Sequence, residues 1–252
     1  MSKNFELMQQ VDRGFEATSI PGPSPVFSKA HEKVRTNGTR FDLGQVAREE
    51  ILKLVQRIFL QQTQEASRAI LFAGIDQGTG CSQICLLVAE TLRSTVSGSI
   101  CLVEANFRSP SLLSLPGTAN HHGLTDALLQ EGPIRSFARP LQTDNVWLLS
   151  CGLLTADSPN LLNGDRMRAR FDELRNEFDY LLVDAPSLTR YADATALGRL
   201  TDGLVLVLEA NSTRKEAALR VTENLRAAQI PVLGAVLNKR TFPIPELLYH
   251  RL

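Results

Sequence analysis

Residues 69–89 read AILFAGIDQGTGCSQICLLVA, in which a glycine-bearing loop joins an apolar run to an apolar helix. The run 69–73 predicts a buried strand, residues 74–80 a loop, and Cys81 the start of a helix. The backbone N–H groups and the dipole of such a helix start face an anion. The layout therefore predicts a phosphate-binding loop.

The end of this loop departs from the usual pattern. Phosphate-binding loops end in G-K-[ST], whereas this one ends in Gly80-Cys81-Ser82. The missing lysine would reach the β- and γ-phosphates. The N–H groups of residues 78–82 do not depend on side chains, and a charged hydrogen bond is worth about 1.5–3 kcal/mol. Loss of one transition-state donor costs roughly 10²–10³ in rate, so we expect weakened nucleotide binding and more severely damaged catalysis.

Length and composition fit one large α/β domain or two small ones. The chain has 252 residues, 43% of them hydrophobic, and a formal net charge of zero. A neutral chain has no global field for nucleic acid or anionic lipid, so we expect no nucleic-acid partner. No apolar run reaches the roughly 18 residues of a membrane span. We interpret the four cysteines as reduced thiols in a cytoplasmic protein.

Apolar runs alternate with helical patterns through most of the chain. Apolar strands separated by helices predict a doubly wound, mainly parallel sheet. We divide the chain into a flexible N-terminal tail (1–41), one P-loop domain (42–240) and a short C-terminal tail (241–252). The predicted strands are residues 69–73, 99–103, 146–149, 180–183, 203–208 and 232–237, and the predicted helices are residues 44–61, 81–94, 124–130, 133–138, 160–177, 192–199 and 214–228.

Acidic residues follow two of the predicted strands. Glu104 comes after the strand 99–103, and Asp184 after the strand 180–183. Ligands of parallel sheets bind beyond the carboxyl ends of the strands, and an unpaired buried carboxylate is costly. Asp184 is therefore a candidate to hold a metal-bound water or a group of the loop. A helix-capping aspartate is the alternative.

Six segments in order carry a resemblance to a known family. They are QGTGCSQ (77–83), EANFRSP (104–110), GLTDAL (123–128), SPNLL (158–162), FDY to DAP (178–186) and GAVLN (234–238). They match the patterns P-G-E-G-K-S-T, D-A-D-x-R-x-P, G-L-x-D-x-L, N-P-x-E-L-L, Y-D-x-x-x-x-D-x-P-P and G-x-x-x-N. The chain thus resembles the bacterial tyrosine kinases of capsule and exopolysaccharide synthesis, which are P-loop proteins related to the partition ATPases. The resemblance implies a kinase-like P-loop domain of that type.

The resemblance also implies cofactors and site residues. ATP and Mg²⁺ are the expected cofactors. The metal would be held by Ser82 and Asp184, and the degenerate second acidic motif places Glu104 and Asn106 at the catalytic positions. The implied nucleotide-binding residues are Gly78, Thr79, Gly80, Cys81, Ser82, Gln83 and, at the base, Asn238.

Charged residues of the family's site are replaced here. Glu104 and Asn106 stand for two aspartates, and Asn106 cannot accept a proton as a carboxylate does. Asp76 stands where the related ATPases have a second lysine that reaches across a dimer. No lysine occurs between Lys53 and Lys215, so none nearby in the sequence can substitute.

Two further sequence features of the family are missing or reduced in this chain. The kinases carry E-x-x-R-x-x-R for ring assembly in the helix before the first strand. We matched this pattern to Glu49, Leu52 and Val55, so both ring-forming arginines are absent, and any homo-oligomer of this chain would form without them. The kinases also end in a cluster of tyrosines that become phosphorylated, whereas this tail contains only Tyr249.

These features lead to a preferred function and two alternatives. We expect a pseudokinase: a non-catalytic or weakly active regulator of exopolysaccharide or capsule biosynthesis and export. Its partner would be a membrane polysaccharide co-polymerase (a chain-length regulator) or an active kinase relative, which would recruit it to the inner face of the cell membrane. The alternatives are an active ATP-dependent tyrosine autokinase controlling chain length and a partition-type positioning ATPase. Whether the chain is an enzyme stays open.

Two residues carry minor hypotheses. The helix dipole should favour the thiolate of Cys81, which suggests redox sensing. Arg108 is a candidate phosphate contact in place of the missing lysine, with a solvated surface arginine as the alternative.

Overall fold

The computed structural model describes residues 17–21, 43–60, 67–112, 122–141 and 145–240, with the side chains of residues 17–21 and 43–46 left out. The strands are β1 (Ala17–Pro21), β2 (Ala69–Gly74), β3 (Ile100–Glu104), β4 (Arg139–Pro140), β5 (Val146–Leu149), β6 (Tyr180–Ala185), β7 (Gly203–Glu209) and β8 (Val232–Arg240). The α-helices are α1 (Leu43–Phe59), α2 (Cys81–Arg93), α3 (Leu124–Leu129), α4 (Asp165–Glu177), α5 (Asp193–Gly198) and α6 (Lys215–Ala227).

One sheet of eight strands organises these elements. Its order is β1-β8-β7-β2-β6-β3-β5-β4, and every neighbouring pair is parallel except β4 with β5. This confirms the predicted mainly parallel sheet. Because parallel strands end at the same edge, the residues that follow β2, β3, β6 and β8 meet there.

Helices cover both faces of the sheet. Ile70 and Phe72 of β2 belong to a core cluster with residues of α1 and α2. Ala69, Leu71 and Ala73 belong to a second cluster with residues of α3 to α6. The sheet is therefore doubly wound, and a strand buried on both faces carries an unbroken apolar run.

Most predicted elements are present close to their predicted bounds. The predicted helix 160–177 is instead a 3₁₀ helix, Ser158–Asn163, followed by α4, because Gly164 is extended between them (φ −89°, ψ 163°). Residues 133–138 form only a short 3₁₀ helix, Ile134–Phe137. Strand β8 continues beyond its predicted end at residue 237 as far as Arg240.

The sheet has an edge strand that the sequence analysis missed. Residues 17–21, placed there in the N-terminal tail, form β1 and pair in parallel with β8. The segment ATSIP has no strong strand pattern, and Pro21 is typical of an edge strand. The remainder of residues 1–41 and all of 241–252, with Tyr249, lie outside the described residues, so the domain bounds stay a prediction.

The positions matched to the assembly pattern differ in exposure on α1. Glu49 is exposed and Leu52 is 37% exposed, whereas Val55 is fully buried. Lys53, beside Leu52, places its Nζ 2.6 Å from Glu50 Oε1. The absence of the two assembly arginines stays a prediction. None of the described helices is long and apolar enough to cross a bilayer.

The burial of Val55 makes a stability prediction. We expect Val55→Arg to lower the free energy of unfolding by about 3–5 kcal/mol, because it leaves an uncompensated charge in the core. The control Leu52→Arg, on the exposed side, should change it by less than about 0.5 kcal/mol. Denaturant unfolding followed by circular dichroism measures both. Equal losses in the two variants would contradict the difference in burial between Val55 and Leu52.

Candidate phosphate-binding site

A cavity of about 290 Å³ lies at the carboxyl ends of β2, β3 and β6. Its floor is the loop between β2 and α2. The described lining consists of Gly74, Asp76, Gln77, Gly78, Thr79, Gly80, Cys81, Ser82, Gln83, Asn106, Arg108, Ser109, Ser111, Ala185, Pro186, Ser187 and Tyr191. The predicted loop residues 78–83 and Asn106 line this cavity, whereas the predicted strand-end residues Glu104, Asp184 and Asn238 are not part of its lining.

Two glycines shape the floor of the cavity. Gly78 and Gly80 have φ angles of 84° and 83°, a region that other residues rarely adopt. A Cβ atom on Gly80 would also lie 2.4 Å from Asn238 Nδ2. Beyond Gly80, the first N–H groups of α2 have no acceptors within the helix. The loop therefore has the backbone shape and the free donors of an anion site.

Asn238 contacts the loop from β8. Its side chain is 2% exposed, and its Nδ2 donates to the Thr79 carbonyl oxygen over 2.8 Å. The neighbouring Lys239 donates from Nζ to the Gly78 carbonyl oxygen over 2.6 Å. The contact that the structure shows for Asn238 supports the loop, and its role at a nucleotide base stays a prediction.

Ser82 and Asp184 form a polar pair between the start of α2 and the end of β6. The Ser82 hydroxyl donates to Asp184 Oδ2 over 2.5 Å. Asp184 is fully buried, and its Oδ1 has no hydrogen-bond partner among the described residues. Burial raises the pKa of Asp184 to about 7. The hydrogen bond from the Ser82 hydroxyl lowers this pKa, and the charge of Glu104 raises it by a smaller amount.

Magnesium fits this pair in part. The described residues contain no group of three or more His, Cys, Asp or Glu side chains that could hold a metal. Mg²⁺ commonly keeps several waters and binds through one or two carboxylates plus substrate phosphates. Asp184 Oδ1 is a buried acceptor without a donor, and Ser82 Oγ lies beside the same carboxylate. These two residues would hold a metal ion that also binds phosphate oxygens.

Glu104 contacts backbone rather than the cavity. It is fully buried, and its carboxylate accepts the N–H groups of Ser111 (2.7 Å), Leu112 (2.6 Å) and Cys151 (3.2 Å). These bonds tie the segment after β3 to the end of β5. Asn106 does line the cavity, and its Oδ1 accepts the Ser109 N–H over 3.1 Å. The catalytic assignment of both residues stays a prediction.

The thiol of Cys81 is not activated. Its burial raises its pKa well above the usual value, and the charge of Asp184 raises it further. The expectation of a favoured thiolate was wrong because desolvation and a nearby carboxylate outweigh the helix dipole. Cys81 is therefore a neutral side chain where a phosphate-binding loop has a cation.

The segment after β6 is fastened to the loop. The Thr189 N–H donates to the Ile75 carbonyl oxygen (3.1 Å), and its hydroxyl donates to Asp76 Oδ1 (3.0 Å). Arg190 Nη1 donates to Gln77 Oε1 over 2.9 Å. Asp76, at the position of a dimer-reaching lysine in related ATPases, is thus bonded within its own chain.

Arg108 is the one cationic side chain among the described lining residues. Its Nε donates to Asp193 Oδ2 over 2.9 Å, and its guanidinium lies 4.6 Å from the centroid of the Tyr191 ring. The side chain is 36% exposed. Two contacts hold it at the mouth of the cavity, where it can meet an anion.

Comparison with known proteins agrees with this geometry. No family model matches the chain. Tyrosine-protein kinase YwqD of Bacillus subtilis is 28% identical over 139 residues, which are 55% of this chain and 59% of YwqD. Putative tyrosine-protein kinase CapB of Staphylococcus aureus is 22% identical over 182 residues, 72% of this chain and 79% of CapB. The homologues of this chain are bacterial tyrosine kinases.

Solved structures support the relation to these tyrosine kinases at the level of fold. The kinase domain of the Escherichia coli tyrosine kinase ETK superposes with a TM-score of 0.80 at 18% identity, covering 98% of this chain and 99% of that domain. The septum-site protein MinD of Pyrococcus horikoshii, in complex with Mg-ADP, gives a TM-score of 0.58 at 19% identity over 73% of this chain and 76% of MinD. The predicted family resemblance and P-loop fold are confirmed.

Sequence analysis missed the contacts of Lys239 and of Thr189. Lys239 immediately follows the GAVLN segment, and Thr189 lies shortly after the DAP segment. Adjacency to these two motifs was the available signal. Nothing in the sequence states that the ends of β8 and β6 face the same loop, because that follows from strand order.

The buried carboxyl of Asp184 makes a pH prediction. An unfolded aspartate ionises near pH 3.9, whereas folded Asp184 keeps its proton to about pH 7. Between these values the folded state binds more protons. Its free energy of unfolding should therefore fall as pH rises, by up to about 1.4 kcal/mol per pH unit from this group.

Urea unfolding between pH 4 and pH 8 in the presence of a chelator measures this slope. Asp184→Asn should flatten the profile relative to the wild type. The control Asp172→Asn, on the exposed side of α4, should leave it unchanged. Parallel profiles for wild type and Asp184→Asn would show that Asp184 is ionised in the folded protein at acidic pH.

Proposed function

We propose that this chain is a nucleotide-binding, tyrosine-kinase-like regulator of exopolysaccharide or capsule biosynthesis and export, with little or no phosphotransfer of its own. One observation carries the proposal. The loop keeps its glycine geometry and the Ser82–Asp184 pair, while neutral Cys81 occupies the position of the phosphate lysine.

Nucleotide binding is supported by what the loop retains. The backbone donors at the start of α2 and the positive φ angles of Gly78 and Gly80 do not require the lysine. Loss of one charged hydrogen bond weakens affinity by about 10- to 150-fold. We therefore propose that ATP or ADP binds weakly, with Mg²⁺ at Ser82 and Asp184.

Slow catalysis follows from what the site lacks. Phosphoryl transfer depends almost entirely on positioning and on cations that stabilise the transferred group. Cys81 supplies no charge, and the Glu104 carboxylate is occupied by three backbone N–H groups. The alternative of an active autokinase would need a cation inside the cavity that contacts the transferred phosphoryl group.

The proposed partner follows from the relatives. Succinoglycan biosynthesis transport protein ExoP of Rhizobium meliloti is 28% identical over 176 residues, 69% of this chain and 22% of ExoP. Tyrosine-protein kinase Wzc of Salmonella typhi matches 77% of this chain and 27% of its own length. We propose that this protein is cytoplasmic and is recruited to the inner membrane face by a polysaccharide co-polymerase or an active kinase relative.

A positioning ATPase is less well supported. That function would use a cation at residue 76 to reach a second copy. Asp76 is negative and accepts a hydrogen bond from Thr189 of its own chain.

Titration of the full chain with a fluorescent ATP analogue tests the proposal. We expect weak, magnesium-dependent binding by the wild type, and binding about 10-fold tighter or more for Cys81→Lys, which restores the missing cation. Ser82→Ala should remove the magnesium dependence without unfolding the protein.

Phosphotyrosine detection after incubation with Mg-ATP is the matching control. The wild type should stay unmodified. Phosphate on Tyr249 of the wild type would establish an active autokinase instead. Absence of binding in both the wild type and Cys81→Lys would show that the cavity is not a nucleotide site.

A further inference from the structure

The end of β8 donates hydrogen bonds to two neighbouring backbone carbonyl oxygens at the tip of the loop. Asn238 Nδ2 donates to the Thr79 oxygen over 2.8 Å, and Lys239 Nζ donates to the Gly78 oxygen over 2.6 Å. Consecutive residues of one strand thus bind consecutive residues of the loop. The two donors lie about 160 residues away along the chain from their acceptors.

These two hydrogen bonds determine the direction in which the N–H groups of the loop point. In a trans peptide the C=O and the following N–H point in opposite directions. With the carbonyls of Gly78 and Thr79 turned toward β8, the N–H groups of Thr79 and Gly80 point away from β8. No backbone carbonyl among the described residues accepts either N–H. The hydrogen bonds from β8 therefore leave the Thr79 and Gly80 N–H groups available as donors to an anion.

Lys239 is itself held in place. Its Nζ lies 3.1 Å from Glu209 Oε2, and Glu209 pairs with Asn238 in the register of β7 and β8. Its backbone has a φ of 55°, which residues other than glycine rarely adopt. The ammonium group therefore has a fixed position against the loop tip rather than the freedom of a surface lysine.

Lys239 also brings a positive charge to a loop that has none of its own. Residues 74–83 contain no cation, one acidic side chain (Asp76) and the neutral thiol of Cys81. Two of the three ammonium donors of Lys239 are used, by Gly78 and Glu209. The lysine thus adds one positive charge directly beside the phosphate-binding loop.

We propose that Lys239 is a positioning residue of the anion site and stands in, from β8, for the lysine that the loop lacks at Cys81. It orders the donors of Thr79 and Gly80 and offsets the charge of bound phosphate. The proposal rests on the proposed function, since it assumes that the ligand is a nucleotide phosphate.

An ordinary ion pair with Glu209 is the competing explanation. That pair alone would not require the 2.6 Å contact with Gly78. It would also predict that a neutral side chain at residue 239 leaves the loop unchanged. The two explanations therefore differ in the behaviour of the loop, which can be measured without any ligand.

Cys81 is a natural probe of the loop because it follows Gly80 directly. Its thiol is desolvated in the folded loop although the residue as a whole is partly exposed, whereas Cys85, Cys101 and Cys151 are buried. We expect Lys239→Met to speed alkylation of Cys81 by about threefold or more, because a loop opens locally when its contacts are lost. Mass spectrometry of the full chain at constant pH follows the rate.

Two control variants accompany this measurement. Lys239→Arg keeps the charge and a donor, so its rate should stay close to that of the wild type. Lys215→Met removes the same charge at the start of α6, where no contact with the loop is described, and should also leave the rate unchanged. An unchanged rate in Lys239→Met would overturn the positioning role.

A double-mutant cycle with Cys81→Lys tests the stand-in role. In the wild-type background, Lys239→Met should weaken binding of the fluorescent ATP analogue by about 10-fold or more. With lysine restored at residue 81, the same change should cost less than about threefold, because coupled sites are not additive. Equal losses in both backgrounds would overturn the stand-in role.

The alkylation measurement and the binding cycle together separate this proposal from the proposed function. If neither the wild type nor Cys81→Lys binds the nucleotide, the proposed function fails, and with it the stand-in role. The alkylation rates still decide the positioning role in that case. If both backgrounds bind and Lys239→Met changes neither the affinity nor the alkylation rate, the proposed function survives and this proposal fails.

Discussion

The hydrogen bond from Ser82 to Asp184 is the contact on which the site depends. It joins the first turn of α2 to the end of β6 inside the protein. Desolvation makes an unpaired carboxylate costly, so this one donor fixes both the carboxylate and the helix start that carries the loop. Asp184 Oδ1 is buried and has no hydrogen-bond donor among the described residues, so a ligand, a metal ion or water would have to satisfy it.

The cations of the site come from outside the loop. Arg108 reaches the cavity mouth from the segment after β3, and Lys239 reaches the loop tip from β8. Both are fastened to carboxylates, by Asp193 and Glu209. The tyrosine kinase homologues and the partition ATPases share this fold, in which strand ends converge on one loop. A charge lost from the loop can thus be supplied by a neighbouring strand without any change of architecture.

The sequence predicted what local patterns encode. The apolar run of β2, the glycine loop and the start of α2 are adjacent in the chain, and so they could be read directly. The contacts of Asn238 and Lys239 with the loop could not be predicted from the sequence, because they depend on the strand order β8-β7-β2. β1 was missed because its five residues gain their strand conformation by pairing with β8.

The position of the Asp184 proton has a consequence for ligand exchange. Metal ligands must be deprotonated, so metal binding releases protons. Because Asp184 holds its proton to about pH 7, a divalent cation bound as proposed would compete with a proton for this carboxylate near neutrality. Occupancy of the site by a metal nucleotide would then be thermodynamically linked to the proton concentration around the protein. A small fall in pH would favour release of the metal, and a small rise would favour its retention.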